Sequence, residues 1–512
     1  MSLCTLFSDY ASRWPTKTAL WFHDKGWTAG EMNDAANRIA ASLAAGGIQA
    51  GDRVALFMPN CIELFQCYWG IFKLGAIAVP MNYRYRTEEA QYALEHSQAK
   101  AIVAHEKLIA ELAPLPLVKM GVLHCFQIGG EPKNPFVPFS DLLKSSAAAA
   151  VPIAEAADAD PAAILYTSGS TANPKGVTHT YGGLGACGEL QSATFDFISD
   201  DVHLIVTSAC HIASFSGQLI PSLWSGGTCV LTHVPQPEEI VKAIETHGVT
   251  RTQMLPTGLE DLVEYLEAHP GANLKSWKSA TVGGDVVALE LQHRFHKLIG
   301  FDVTELYGLT EAVTTLTNPP FGEKRPGSIG QPTVQTSARI VDEDDRELPV
   351  GETGELVLRT PSMMRGYWND TEATAATLRN GWLHTGDLAR RDADGFYWFV
   401  GRKKEIIIRG GSNISPMEIE AVLDNHPAVH ASCVVGKADA HFGQIVIAYV
   451  QLRDDVAEKP TLESLKQFVA DRIAAYKVPE RIHLVADLPL NASGKVDRKQ
   501  MHAVVKTESS GQ

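Results

Sequence analysis

Four stretches of this sequence carry side chains able to do chemistry. The first, YTSGSTANPKGVTHT from Tyr166 to Thr180, sets Thr167, Ser168, Ser170 and Thr171 around Gly169 and follows them with Lys175. Glycine lets backbone N–H groups approach an anion, hydroxyls donate to it and the lysine supplies charge, so the loop suits phosphate. It is not a Walker A motif, because Lys175 is preceded by Pro174 and followed by Gly176. The others are YGLTE (Tyr307 to Glu311), GWLHTGD (Gly381 to Asp387) and PLNASGKVDRK (Pro489 to Lys499, with Lys495). Alone, a TGD stretch is usually only a turn, and a lysine after Ser-Gly is usually a solvated loop residue. A polar turn is likewise the plain alternative for the Tyr166 loop.

These stretches sit between recurring helix and strand patterns. NRIAASLAAGG reads as an amphipathic helix feeding the strand DRVALFMP. The alternation returns with VHLIVTS, TCVLTH, PEEIVKAIETHG, GLEDLVEYLEAHP, SATVGG and ALELQHRFHKLIG. Such alternation predicts α/β layers with ligands near the loops that follow strand ends. The alanine-rich Ala147 to Ala163 reads as a linker. After Gly401 the texture changes: basic, glycine-bounded GRKKEIIIRGG precedes a compact set of helices and strands, a small α+β domain of roughly 110 residues. The expected fold is therefore α/β, a large N-terminal domain of layered α/β subdomains (residues 1–403) with a small mobile α+β C-terminal domain (residues 404–512).

With 512 residues, 45% of them hydrophobic, the chain can bury more than one core. A formal net charge of -15 argues against nucleic acid or anionic membrane as a partner, so an anionic substrate must meet local positive charge. The eight cysteines have no metal-like spacing and read as reduced, mostly buried thiols. No stretch is long and apolar enough for stable membrane insertion, and the N-terminal segment lacks signal-peptide features, which makes the cytoplasm the expected compartment. A homodimer stays open.

Taken in order, these motifs closely resemble those of the adenylate-forming superfamily, of acyl-CoA synthetase and aryl-CoA ligase type. YTSGSTANPKG is similar to YTSGTTGxPKG; YGLTE, RPGSIGQP, TGELVLR, GWLHTGD, GRKKEIIIRGGSNISPMEIE and the Lys495 loop follow the family order. The resemblance implies an enzyme, an acid-thiol ligase that joins a small-molecule carboxylic acid to ATP as an acyl-adenylate and passes it to CoA, releasing AMP and pyrophosphate. It implies nucleotide contacts from Thr167, Ser168, Gly169, Ser170, Thr171, Lys175, Gly284, Tyr307 and Gly308, an α-phosphate contact from Thr310, and Mg2+ held by Glu311. It further implies ribose contacts from Asp387 and Arg402, catalysis by Lys495, a hinge at Lys404, and space for phosphopantetheine at Gly411. His211 matches a gate beside the acid carboxylate, with a satisfied polar residue at a strand end as the plain alternative. Ala172 stands for the usual loop glycine, and VVGKADAHFGQ lacks the family's proline and glutamate in that stretch.

The acyl pocket implied by the resemblance is bounded by Ala209–Gly217, Thr281–Asp285 and Tyr307–Thr315. Ile212, Ala213, Phe215, Val282, Ala312 and Val313 make it apolar, and no lysine or arginine falls in these stretches. Burying a second carboxylate unpaired is costly, so the expected acid is a hydrophobic monocarboxylate, a medium or long fatty acid or an aryl acid. The rivals are an adenylation enzyme that loads a carrier protein in trans, a luciferase-like oxygenase, and a catalytically silent adenylate-binding module.

Overall fold

The computed structural model describes residues 2–145, 154–167, 174–232, 236–285, 287–410, 412–439, 441–454, 456, 459–491 and 495–509. Ser168, Gly169, Ser170, Thr171 and Gly411 lie outside them. Among the described residues the strands form four sheets.

The nine-stranded sheet has a parallel centre, Thr18–Phe22, Thr228–Leu231, Val202–Ile205, Arg251–Met254, Ser279–Gly283 and Thr304–Leu309, with antiparallel strands at both edges. The central strands are short apolar runs with helices between them, as parallel sheets covered on both faces require. The eight-stranded sheet holds Arg53–Phe57, Ile77–Met81, Ala101–His105 and His124–Ile128 in parallel, and continues through the antiparallel hairpin Pro161–Thr167 with Lys175–Thr180 to the edge strand Gly366–Tyr367. Pro161–Thr167 begins inside the alanine-rich stretch expected to be linker. Its buried Ala162 and Ala163 pack in the core, where alanine serves as a small core residue.

Helix Ile62–Lys73 is buried on almost every side, which explains its lack of a polar face. It packs on Ala29–Ala45, whose start is fixed by a capping box in which Thr28 and Glu31 satisfy each other's backbone donors. The N-terminal helix Leu3–Arg13 adds Leu3, Leu6, Phe7 and Tyr10 to the same core. No helix among the described residues is long and apolar enough to cross a membrane. All eight cysteines are free and buried, as their scatter suggested.

A third sheet, of five strands, includes Trp382–Arg391 paired with Tyr397–Arg402. The fourth, Ile407–Arg409, Ser412–Ile414, Val429–Asp439, Gly443–Leu452 and Arg481–Val485, has its own apolar cluster with helices Pro416–Asp424 and Leu462–Ala470. It forms the α+β unit read from the sequence after Gly401.

Candidate active site

The Tyr166 loop leaves one strand and re-enters its neighbour, with Thr167 paired to Lys175 across the hairpin. Both ends are pinned from outside. The Tyr166 hydroxyl lies 3.0 Å from His96 Nδ1, and the Tyr92 hydroxyl donates to the Pro174 carbonyl at 3.0 Å. The Lys175 ammonium sits 4.6 Å over the ring of Tyr367, in cation–π range. The Tyr367 hydroxyl in turn donates to Glu311 Oε1 at 2.8 Å. Tyr367 thus links the phosphate-type loop to YGLTE, and nothing in the spacing of RGYWND revealed it.

YGLTE spans the end of strand Thr304–Leu309 and the turn into Val313–Thr317. Two hydrogen bonds fix that turn: buried His179 donates from Nε2 to the Thr310 carbonyl at 2.7 Å, and the Met364 N–H donates to the Glu311 carbonyl at 2.7 Å. Burial drives His179 down to about 4, so the ring is neutral at pH 7. Val313, which closes the turn, has φ +49, a strained conformation for a β-branched residue. Gly308 is explained by packing, since a Cβ there would lie 2.1 Å from the Val313 carbonyl oxygen. That steric need, independent of any nucleotide, is enough to require glycine.

Tyr307, Asp387 and Arg402 form a second cluster. The Tyr307 hydroxyl donates to Asp387 Oδ2 at 2.6 Å, and Arg402 Nε stands 3.6 Å from Asp387 Oδ1. Asp387 and Arg402 are also register partners on adjacent strands. Burial raises the Asp387 carboxyl above its ordinary value, against the opposing pull of Arg402 and the Tyr307 hydroxyl.

Lys495 reaches this cluster from the C-terminal unit. Its ammonium donates to the carbonyl of Gly284, a residue at φ +92 just past strand Ser279–Gly283. Burial lowers the ammonium below its ordinary value; Asp285 opposes that, Arg402 adds to it and Asp387 opposes it. His211 precedes the short helix Ile212–Ser214. It is raised chiefly by the neighbouring Cys210 thiol, against burial, Arg84 and Lys495. Lys495 is therefore in electrostatic reach of both Asp387 and His211. Arg84, from the loop after Ile77–Met81, was missed in the sequence because it lies far from the stretches that bound the expected pocket.

Among those expected walls, Ile212 and Ala213 are half-buried, while Phe215, Val282, Ala312 and Val313 are fully buried in packed clusters or strands. Phe215 stacks on Tyr68 at 4.4 Å. The helix that follows His211 widens to π geometry over Phe215–Leu219, and Gly217 there faces the Gln253 amide, 3.6 Å from where a Cβ would stand.

Comparison with known proteins decides the family. A model described as AMP-binding enzyme matches residues 7–368, and one described as AMP-binding enzyme C-terminal domain matches 418–495. The chain belongs to the AMP-binding enzyme family. Within it, the chain is an enzyme of the adenylate-forming acyl- and aryl-CoA ligase type. It is 32% identical to a long-chain-fatty-acid–CoA ligase of Bacillus subtilis (strain 168), over 98% of this chain and 94% of that one. It is 30% identical to an indoleacetate–CoA ligase of Aromatoleum aromaticum, over 99% and 98% of the two chains. Among solved structures, the anthranilate CoA ligase AuaEII in complex with anthranoyl-AMP is 25% identical, covers 100% of this chain and 98% of its own, and superposes with a TM-score of 0.92.

Proposed function

We propose that this AMP-binding enzyme joins a hydrophobic monocarboxylic acid to CoA by way of an acyl-adenylate. In the first step a carboxylate oxygen of the acid bonds to the α-phosphorus of ATP and the bond to pyrophosphate breaks. In the second, the CoA sulfur bonds to the acyl carbon, its proton is lost, and AMP leaves. The observation that carries the reading is the entry of Lys495 beside Gly284, within electrostatic reach of the Asp387–Arg402 cluster. A cation there stabilises the charge that builds on the carboxylate and α-phosphate oxygens during the first step.

In this reading Asp387 and Arg402 hold the ribose, and Thr310 and the loop from Thr167 to Lys175 hold phosphates. Glu311 fits magnesium: its carboxylate stands at the turn after strand Thr304–Leu309, where the Tyr367 hydroxyl donates to Oε1. That suits a hard cation held by one carboxylate together with nucleotide phosphates. When bound, magnesium neutralises phosphate charge. His211 guards the acid carboxylate. The C-terminal domain, from Lys404 onward, turns about Lys404 between the two steps, and Gly411 then faces the thiol.

Fatty and aryl acids are both compatible with half-buried Ile212 and Ala213. Arg84, whose charge acts on His211 from outside the expected walls, is the group that would favour a second reading, an acid with a further anionic group. Release of AMP with and without CoA on octanoate, palmitate, benzoate, cinnamate, malonate and alanine tests both readings. CoA-dependent AMP release with octanoate, palmitate, benzoate or cinnamate supports the first. Preference for malonate supports the second, and AMP release indifferent to CoA removes the ligase assignment.

A further inference from the structure

Two ion pairs join the C-terminal unit to helix Pro256–Ala268 of the large unit. Arg453 Nη2 lies 2.7 Å from Glu260 Oε1, and Nη1 lies 2.8 Å from Glu264 Oε1. The two acids are one helical turn apart with Asp261 beside Glu260, an arrangement of like charges that is unfavourable without a cation. Arginine suits it because its planar fork offers separate N–H groups to two carboxylates.

Each side of this contact is anchored in its own unit. Arg453 follows strand Gly443–Leu452, and its N–H donates to the Ala428 carbonyl at 3.0 Å, so its backbone is fixed in the small sheet. On the other side Leu255, which caps helix Pro256–Ala268, packs 3.1 Å from where a Cβ on Gly284 would stand. The residue that precedes the helix receiving Arg453 thus packs against the glycine whose carbonyl receives Lys495.

We propose that Arg453 is a positioning residue: by clasping Glu260 and Glu264 it holds the C-terminal unit where Lys495 meets Gly284, and so favours acid adenylation over thioester formation. The inference rests on the reading that the unit turns between the two steps. Arg453 touches no reacting atom. Its contribution is the fraction of molecules in which Lys495 is in place, and a partly exposed ion pair makes that fraction sensitive to salt.

The test uses the full chain and its Arg453→Ala, Arg453→Lys and Glu260→Gln/Glu264→Gln variants. Acid-dependent pyrophosphate release and thioester formation from supplied acyl-adenylate are followed from about 50 to about 500 mM KCl. Arg453→Ala is expected to slow pyrophosphate release about 3- to 30-fold, through kcat and not the KM for ATP, while thioester formation holds or rises. Its release should also lose most of the salt dependence seen in the parent. Arg453→Lys should recover part of the loss, and the double glutamine variant should repeat it; the latter decides the matter if Arg453→Ala does not fold. Equal loss in both steps, no loss in either, or an unchanged salt response overturns the clasp. If Lys495→Ala separates the two steps while these variants do not, the clasp alone fails. If Lys495→Ala cannot separate them, the turning unit itself fails.

Discussion

Asp387 and Lys495 bring opposite charges toward the same site and are held in different ways. Asp387 lies within strand Trp382–Arg391, in register with Arg402, buried and bonded to Tyr307. Lys495 lies on a short loop closed on itself, with the Asn491 N–H donating to the Lys495 carbonyl at 2.7 Å and the Lys495 N–H donating back to Asn491 Oδ1 at 3.2 Å. Across the unit boundary it holds on by its ammonium. In the proposed reading, one half of the site is permanent while the other depends on where the C-terminal unit rests. Substitutions in the permanent half should impair nucleotide binding or folding, whereas those in the conditional half should separate the two chemical steps.

The largest effect expected in the permanent half is from Glu311→Gln, which removes the charge suited to magnesium and keeps the hydrogen bond from Tyr367. Adenylation should fall by about 10²- to 10³-fold. Pyrophosphate release titrated with Mg2+ should recover part of the rate at high metal; a near-normal rate at low metal would remove Glu311 from the metal.

Glu305 tests the strand beneath Tyr307. Burial raises its carboxyl to about 7, against the hydrogen bond from the Gly327 N–H. Between about 4.5 and 7 the folded chain therefore holds a proton that the unfolded chain has lost, and stability falls as pH rises through that window. Glu305→Gln should remove the dependence, stabilising the protein by about 1–3 kcal/mol at pH 8 and little at pH 5. Denaturant midpoints at the two pH values check this, and an equal shift at both would show that its charge is not the cause.

Tyr307→Phe should cost less, about 3- to 10-fold in the KM for ATP with kcat nearly kept, because Asp387 retains Arg402. A loss confined to kcat would place Tyr307 in the chemistry instead. Smallest of all, Tyr367→Phe should raise the Mg2+ concentration for half-maximal rate by about 2- to 5-fold, since Glu311 loses one neutral donor. No change in the magnesium titration would make Tyr367 a packing residue.

The permanent half was largely legible in the sequence. Asp387, Glu311 and Lys175 sit in short motifs whose spacing is local, although the strands that carry them are antiparallel neighbours rather than members of the helix–strand alternation. Residues that act across long sequence separations were not legible. His179 reaches Thr310, Tyr367 reaches Glu311, and Arg453 reaches Glu260 only because separate sheets and units pack against one another. Gly308 was read as a nucleotide contact, and the fold supplies a steric reason for it that no spacing rule contains. Only the end of the alanine-rich stretch, Pro161 to Ala163, departs from the linker reading, because buried strand alanines and linker alanines look alike in composition.

The central claim is that one cation from the C-terminal unit completes the site for the first step only. Lys495→Ala measured in both half-reactions tests it most directly, with pyrophosphate release from acid and ATP on one side and thioester formation from supplied acyl-adenylate and CoA on the other. The account predicts a loss of about 10²-fold or more in the first and a nearly unchanged second. Equal loss in both, or retention of the first, would contradict it.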